Sequence, residues 1–435
     1  MEYSQDPLEI QILQALTERG VASSPDLQVL TGKSQPTVSR ALRRMGDRVI
    51  TLGQGRAVRY GVPHLIRGLP AQQPLWWTDQ SGIMSRWGTL TFLAGDRLHV
   101  AADGIDLVSA GRLPWFLSPL RMQGFLGREW ARRLGLEGDP ERWSLEQVLF
   151  AAGQVEDPTG AISMGEPRGE KVPEAPIDQQ ERAAHYDLLA ANVAGTLPAG
   201  SSAGGEQAKF LTALASGERV LVKFTPPRGT PFGERWHDLL HAEALALQVM
   251  REHGQAVAAA RVLHSDTRTY LESTRFDRFG PHSLGRRHAV TLDAAHEAFV
   301  HGPLHHWAAT CDALATQRRL SAEDASAVRT RLMFGRLIGN TDMHFGNLAL
   351  WADEPAKGRF ALAPLYDMLP MRWRPDAFAG LHDYSGFEPP MLIPGDEAKA
   401  ARTAAIDFWH RLGSHEDVDR KLRNVARDMA DRIQT

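Results

Sequence analysis

The sequence predicts an α+β protein: a small helical unit, a β-rich stretch, and a two-lobed body that carries the chemistry. Three observations predict it. Helix-spaced apolar residues punctuated by Pro and Gly fill residues 6–62 and end in two short strand-like runs. A buried-type strand with one lysine inside it, Arg219-Val220-Leu221-Val222-Lys223-Phe224, precedes an amphipathic helical stretch at 241–250. Further on, Ile338–Asn347 forms an Asn/Asp/Gly-rich loop after another helical stretch, and Tyr366-Asp367 follows. At 435 residues the chain exceeds one ordinary core. The divisions expected are 1–65, 66–180, 181–280 and 281–435.

Composition narrows the classes. Hydrophobic content of 43% and charged content of 23% are those of a globular protein. A net charge of -3 gives no global attraction to nucleic acid, so any basic patch is local. The opening Met1–Asp6 is polar and lacks a signal-peptide core, and no apolar run reaches membrane-spanning length. The single cysteine, Cys311, excludes an intrachain disulfide and a cysteine-rich zinc site. A cytoplasmic location with no membrane partner is the expectation.

In residues 6–62, Asp6-Pro7 supplies an N-cap with proline at the first helical position, and Glu9 offers a capping box. Leu8, Ile12, Leu13 and Leu16 form the buried stripe, and Gly20 stops the helix. Ser24-Pro25 opens a second helix that ends at Gly32; Ser34 caps a third, with Val38, Leu42 and Met45 inward. Val49–Leu52 and Ala57–Tyr60 are strand-like runs joined by Gly53-Gln54-Gly55-Arg56. Three helices and a glycine-tipped hairpin make a winged helix-turn-helix pattern, in which the third helix enters the major groove of duplex DNA. Lys33, Arg40, Arg43, Arg44, Arg48, Arg56 and Arg59 crowd this half against Asp47 alone. The candidate DNA-binding residues are Lys33, Gln35, Ser39, Arg40, Arg43 and Arg44, with Arg56 at the wing tip. A protein-interaction module with solvated arginines is the competing explanation.

Residues 88–93 and 97–100 alternate as a hairpin around Ala94-Gly95-Asp96, and a helical stretch runs through Trp130 and Leu134. Trp76-Trp77 is expected to pack against a neighbouring domain, and the Pro- and charge-rich 165–178 to act as a linker.

The chemistry is concentrated after residue 195. Pro198 to Phe210 is a Gly/Ser-rich loop, and Ser201, Ser202, Ala203, Gly204 and Gly205 are candidates to cradle phosphates with backbone N–H groups. A flexible linker explains the same composition. An inward-facing Lys223 needs a strong anionic partner, because an unpaired buried ammonium is costly. ATP phosphates and Glu243 on the following helix would supply it. Thr269–Phe279 is a strand ending in a polar segment; in a two-lobed kinase this order places the hinge, here Glu272, Ser273, Thr274 and Phe276, whose backbone groups would pair with adenine. An Asp followed five residues later by an Asn, and then by a second Asp, is the protein-kinase arrangement of base and Mg²⁺ ligands. Here these are Asp342, Asn347 and Asp367, with His344 inside the loop where it could orient Asp342. An ordinary Asn/Asp turn accounts for the same residues by turn chemistry alone. His301, His305 and His306 lack partners at metal-ligand spacing.

This ordered set resembles the HipA family of bacterial serine/threonine kinases, the toxin half of persistence-linked toxin–antitoxin systems. The stretches that carry the resemblance are Ser201-Ser202-Ala203-Gly204, Leu221-Val222-Lys223-Phe224, Arg275-Phe276-Asp277-Arg278, Ile338–Asn347 and Pro364-Leu365-Tyr366-Asp367. Residues 80–165, with Leu113-Pro114-Trp115-Phe116 and Pro158-Thr159-Gly160-Ala161, look like that family's β-rich subdomain. The resemblance implies a two-lobed protein-kinase-like fold, with Lys223 on ATP phosphates, Asp342 as base, and Asn347 and Asp367 on Mg²⁺. It also implies a regulatory phosphoserine at Ser201 or Ser202. Family members act on aminoacyl-tRNA synthetases, and no residue here points to one. Familiar members rely on a separate helix-turn-helix antitoxin. A winged helix fused to the kinase resembles a solitary, YjjJ-like branch, which leaves both a separate antitoxin and toxicity open.

The expectation is therefore an ATP- and Mg²⁺-dependent protein serine/threonine kinase, autophosphorylating on the Gly/Ser-rich loop, with a fused DNA-binding domain. Its rivals are a small-molecule phosphotransferase, which shares the Asp-x4-Asn loop, and a DNA-binding regulator whose kinase fold only senses nucleotide.

Overall fold

In the computed structural model, which describes residues 6–53, 55, 58–167, 181–196, 207–376 and 379–434, Asp6 starts the first helix. Its carboxylate accepts from Leu8 N at 2.9 Å, and α1 (Pro7–Arg19) runs to Gly20 at φ +81°. Glu9 does not close a capping box. It is buried, accepting from Arg44 Nε at 3.1 Å and pairing with Arg48. β1 (Val21–Ser23) precedes α2 (Ser24–Thr31), which Ser23 and Asp26 cap reciprocally, one residue before Ser24-Pro25. α3 (Gln35–Met45), β2 (Ile50–Leu52) and β3 (Arg59–Gly61) complete the domain, the strands pairing antiparallel in the order β1-β3-β2. Ile12, Leu16, Leu27, Val38, Leu42 and Met45 form its core. This is the helix-and-wing arrangement expected, with an added strand between the first two helices.

The chain divides into two units, Met1–Thr78 with Met84–Gly124 and Trp130–Glu170, and Asp79–Ile83 with Phe125–Glu129 and Lys171–Thr435. After the winged helix come β4 (Gln72–Thr78), β5 (Met84–Leu93), β6 (Arg97–Ala102), β7 (Ile105–Ala110), α4 (Gly124–Arg133), α5 (Leu145–Ala152) and β8 (Ile162–Met164). The strands make an antiparallel sheet ordered β7-β6-β5-β4-β8. The hairpin closes at Leu93 opposite Arg97, and Leu75, Leu90, Phe92, Leu98 and Val100 pack under Phe116 and Leu149. Both tryptophans have partners in this unit. Trp77 packs on Trp87 at 5.8 Å, and Trp76 donates Nε1–H to Gly165 O at 2.8 Å. A register shift between Leu75 and Trp76 precedes the pair, and strand alternation turns the two rings to opposite faces.

The second unit opens with α6 (Arg182–Thr196), β9 (Lys209–Ala213) and β10 (Arg219–Phe224), followed by α7 (Pro231–Glu252), β11 (Ala260–His264) and β12 (Thr269–Thr274). The four strands pair antiparallel as β11-β12-β10-β9. Alternation along β10 gives each face its own task. Val220, Val222 and Phe224 join Tyr186, Ala190, Phe210 and Tyr270 in one core, leaving Lys223 on the opposite face. The helical stretch expected at 241–250 is the second half of a longer α7, which Thr230 caps by accepting from Gly233 N at 3.1 Å.

Beyond it lie β13 (Arg278–Phe279), β14 (Gly285–Arg286), β15 (Ala289–Thr291), α8 (Leu292–Phe299), α9 (Trp307–Thr316), α10 (Ala322–Leu337), β16 (Ala349–Trp351), β17 (Ala361–Leu362), α11 (Asp396–Ser414) and α12 (Arg420–Gln434). Phe334, Trp373, Phe408 and Trp409 fill the helical core, and Trp409 Nε1–H donates to Leu337 O at 3.2 Å. Arg331, 2% exposed, donates to Gln255, Ala256 O and Ala363 O. That network fixes the end of α10, and with it the start of the Asn340–Asn347 loop. No helix among the described residues is long and apolar enough to cross a membrane.

Candidate active site

Lys223 stands opposite Lys209 on β9 and Leu271 on β12. Its ammonium donates to Glu243 Oε1 and Oε2 at 2.6 and 2.7 Å, and to the Asp367 carboxylate. Burial opposes the charge on Lys223, but Asp367 and Glu243 outweigh it and hold its pKa above the ordinary value. The same balance holds Asp367 down: burial would raise its carboxyl, yet Lys223 and Lys209 push it to about 2. Lys209 was not foreseen from the sequence. Burial lowers its pKa, and its nearest charges include Asp367, Lys223, Glu243 and Asp342.

The loop after α10 is held by its own asparagines. Asn340 Oδ1 accepts from Asp342 N at 3.0 Å, while its Nδ2 donates to Asp367 O at 3.4 Å, joining the two acidic segments. Asn347 Nδ2 donates to Asp342 O at 2.8 Å, and its Oδ1 has no hydrogen-bond partner among the described residues. The Asp342 carboxylate is half-buried, with no hydrogen-bond partner among the described residues. Tyr366 donates its hydroxyl to Gly346 O at 2.8 Å. Asp367 holds φ +52°, the left-handed region costly to most side chains, and its side chain is 25% exposed. His344 does not reach Asp342. Its Nδ1 accepts from Gly346 N at 3.1 Å, so the imidazole caps the turn that aims Asn347.

The hinge candidates divide by face and by position. The Glu272 carboxylate lies on the face opposite Lys223, accepting from Arg182 at 3.2 Å, Tyr186 at 2.5 Å and Arg261 at 2.8 Å. β12 has neighbours on both sides, pairing Ser273 with Leu221 and Ala260, and Thr274 N donates to Ala259 O. Phe276, past the strand end, packs against Trp351 and Tyr366 at 5.6 Å. In Arg275-Phe276-Asp277-Arg278 the two arginines close on Asp277 at 2.9 and 2.7 Å, a buried brace. Ser201, Ser202, Ala203, Gly204 and Gly205 lie outside the described residues.

On the winged helix, Lys33, Gln35, Arg40, Arg43 and Arg44 are exposed on or beside α3, and Ser39 is half-buried. Arg44, expected to face DNA, is also engaged within the domain. It pairs with Asp6 at 2.5 Å and buried Glu9 at 3.1 Å, tying α3 to α1. Arg48 pairs with Glu9, and Arg59 with Asp106 at 2.6 Å. The free basic face is therefore narrower than the residue count suggests. Arg56 lies outside the described residues.

Comparison with known proteins follows this geometry. The HipA-like C-terminal domain matches residues 201–435, and the middle domain of YjjJ-like toxins matches residues 69–172. The Toxin YjjJ of Escherichia coli (strain K12) is 35% identical over 436 residues, covering 95% of both chains. A chain of the Shewanella oneidensis MR-1 toxin–antitoxin complex of HipA, HipB and operator DNA is similar in fold. Its TM-score is 0.53 at 16% identity, over 82% of this chain and 95% of that one. A Helicobacter pylori proinflammatory kinase, CtkA, gives 0.37 at 12% identity over 53% of this chain and 91% of its own.

Proposed function

The chain belongs to the HipA-like family and shares the plan of the YjjJ toxin, and from that premise we propose that it is a protein serine/threonine kinase using ATP and Mg²⁺. The observation that carries the reading is the Lys223 ammonium held between Glu243 and Asp367 beneath the Asp342–Asn347 loop. Lys223 is charged and pre-positioned, as a group that meets phosphate oxygens must be. The hard oxygen donors of Asp367 and Asn347 fit Mg²⁺, which when bound neutralises charge on the transferring phosphoryl group. Asp342, without a partner and on a loop pinned at both ends, orients a substrate hydroxyl and accepts its proton. Lys209 adds a second cation to the same face.

Two further parts of the reading rest on family and sequence. Ser201 or Ser202 is the autophosphorylation site, where added negative charge would oppose nucleotide phosphates. The winged helix binds duplex DNA through α3, with Gln35, Arg40 and Arg43 toward bases and Lys33 toward phosphate. The Shewanella complex contains HipB beside HipA on operator DNA; here the fused domain would take that place.

The test is transfer of labelled phosphate from ATP to proteins and to metabolites of a cell extract, by the full chain and by Asp342→Asn. The reading expects labelled protein, including the chain itself, at least about 100-fold reduced in the variant, the lower bound usual for removing a general base. Wild-type transfer by Asp342→Asn would remove Asp342 from its role. Label confined to small molecules would move the activity to the phosphotransferase class.

A further inference from the structure

Away from the Lys223 face, three parts of the second unit bring histidines together. His237 and His241 lie one turn apart on α7, His264 ends β11, and His415 sits at the C-terminus of α11 with Asp417 in the turn that follows. Among the described residues, His241, His415 and Asp417 each bring a ligand atom within 4.8 Å of the others. The histidines of the sequence reading are elsewhere: His306 simply caps α9, its Nδ1 accepting from Ala309 N at 3.2 Å.

The hydrogen bonds separate ligand candidates from supports. His237 uses both ring nitrogens, Nδ1 with Thr269 Oγ1 at 2.7 Å and Nε2 with Asp417 O at 2.8 Å. It thereby fixes the turn that carries Asp417. His241 Nε2 and His415 Nδ1 are different: both are buried, and neither has a hydrogen-bond partner among the described residues. His241 is 5% exposed, and its ring meets His415 at 4.9 Å and stacks on His264 at 5.2 Å. Buried polar atoms are normally satisfied, so two orphans on rings 4.9 Å apart, in residues that each bring a ligand atom near Asp417, point to a shared partner. Burial, with neighbouring His237 and His415, pushes His241 down to about 3, and burial lowers His415 as well. Neutral imidazole is the form that ligates a metal.

We propose that His241, His415 and Asp417 bind one divalent transition-metal ion, with Zn²⁺ the best match. Two nitrogens and a carboxylate without thiolate suit zinc with a water in the fourth position. Three ligand atoms within 4.8 Å of one another lie close enough for small side-chain adjustments to bring each to about 2.0–2.2 Å from one ion. His237 is the supporting residue, as the hydrogen-bonded groups behind metal ligands usually are. The exposed Asp417 edge gives the ion its entry. Once bound, the ion joins the α11–α12 turn to α7, the helix that carries Glu243.

The test uses the untagged full-length chain, stripped with a chelator and dialysed against limiting Zn²⁺ in excess Mg²⁺. Metal content is read by mass spectrometry and thermal stability with and without Zn²⁺. The wild type should retain one zinc per chain and gain thermal stability from it. His415→Ala and Asp417→Asn, at partly exposed positions, should each weaken retention by more than the about 10–100-fold typical of an outer-shell partner. His264→Ala should retain the ion. The proposal fails if the wild type holds no stoichiometric zinc, water then serving the orphan nitrogens. It fails equally if both ligand variants keep zinc, or if His264→Ala alone loses it.

Discussion

Replacing Lys223 with Met isolates the energetics of the central ion pair. The side chains are similar in length, so the loss is of charge and three donors rather than volume. Glu243 is 2% exposed and loses both of its 2.6 and 2.7 Å bonds, leaving a buried carboxylate with only the more distant Lys209 charge to offset it. Asp367, with 25% of its side chain exposed, can rehydrate and contributes less. Breaking one side of a buried pair costs about 3–5 kcal/mol. At about 2–4 °C per kcal/mol for a unit of this size, the melting midpoint falls by roughly 6–20 °C. The discriminating variant is Lys223→Met/Glu243→Met. Replacing a whole buried pair by apolar groups is often neutral or stabilising, so the double variant should regain most of the lost midpoint while remaining inactive. Thermal unfolding by near-ultraviolet dichroism of the full chain reads both. A single variant that melts with the wild type, or a double variant that melts below the single one, would refute the reasoning.

Arg44→Ala should destabilise the winged helix by loosening α1 from α3 while changing DNA affinity little, because its guanidinium is engaged by Asp6 and Glu9. Arg40→Ala should leave stability unchanged and cost about 1–3 kcal/mol on a preferred duplex; titration and melting of the full chain separate the two, and reversed effects would sink the assignment. Glu397 is held down to about 2, first by its hydrogen bond from Arg329 and then by its own backbone N–H and Ser326. A depressed folded pKa contributes stability that is complete above the unfolded value of 4.5 and lost as pH falls toward about 2. Glu397→Gln should therefore flatten the acid limb of the melting curve in that window, and parallel curves would count against it. Cys311, fully buried with its thiol pushed up to about 12 by burial and neighbouring acids, should resist alkylation until the chain unfolds; rapid native-state labelling would contradict its placement.

What the sequence made legible was local. Asp342 and Asn347 are five positions apart, so their approach needs only one turn, and Asn347 Nδ2 reaches Asp342 O as a short loop allows. Lys223 was conspicuous because a lysine inside an apolar strand demands an acidic partner, and the helix after it offered Glu243. Lys209 carried a signal too, though a weaker one. It becomes visible only when the β9–β10 hairpin is put in register, which sets it opposite Lys223 and on the same face.

What stayed hidden depends on partners remote in sequence. Arg44 and Glu9 are 35 positions apart, and a charged helix face looks the same whether its arginines meet solvent or a buried carboxylate. Glu272 shows the limit from the other side. Sequence order gave the strand its place after the lysine strand, but not which face its carboxylate takes. The period of two decides that. Glu272 sits opposite Val222, not Lys223, so it shares the face of Tyr186 and Arg182 rather than that of the ammonium. Had β12 slipped by one residue, Glu272 would stand with Lys223 and Glu243, and Tyr270 would lose its place in the core. The same apolar alternation that builds the sheet thus keeps a further carboxylate off the face where Lys223 already meets Glu243 and Asp367.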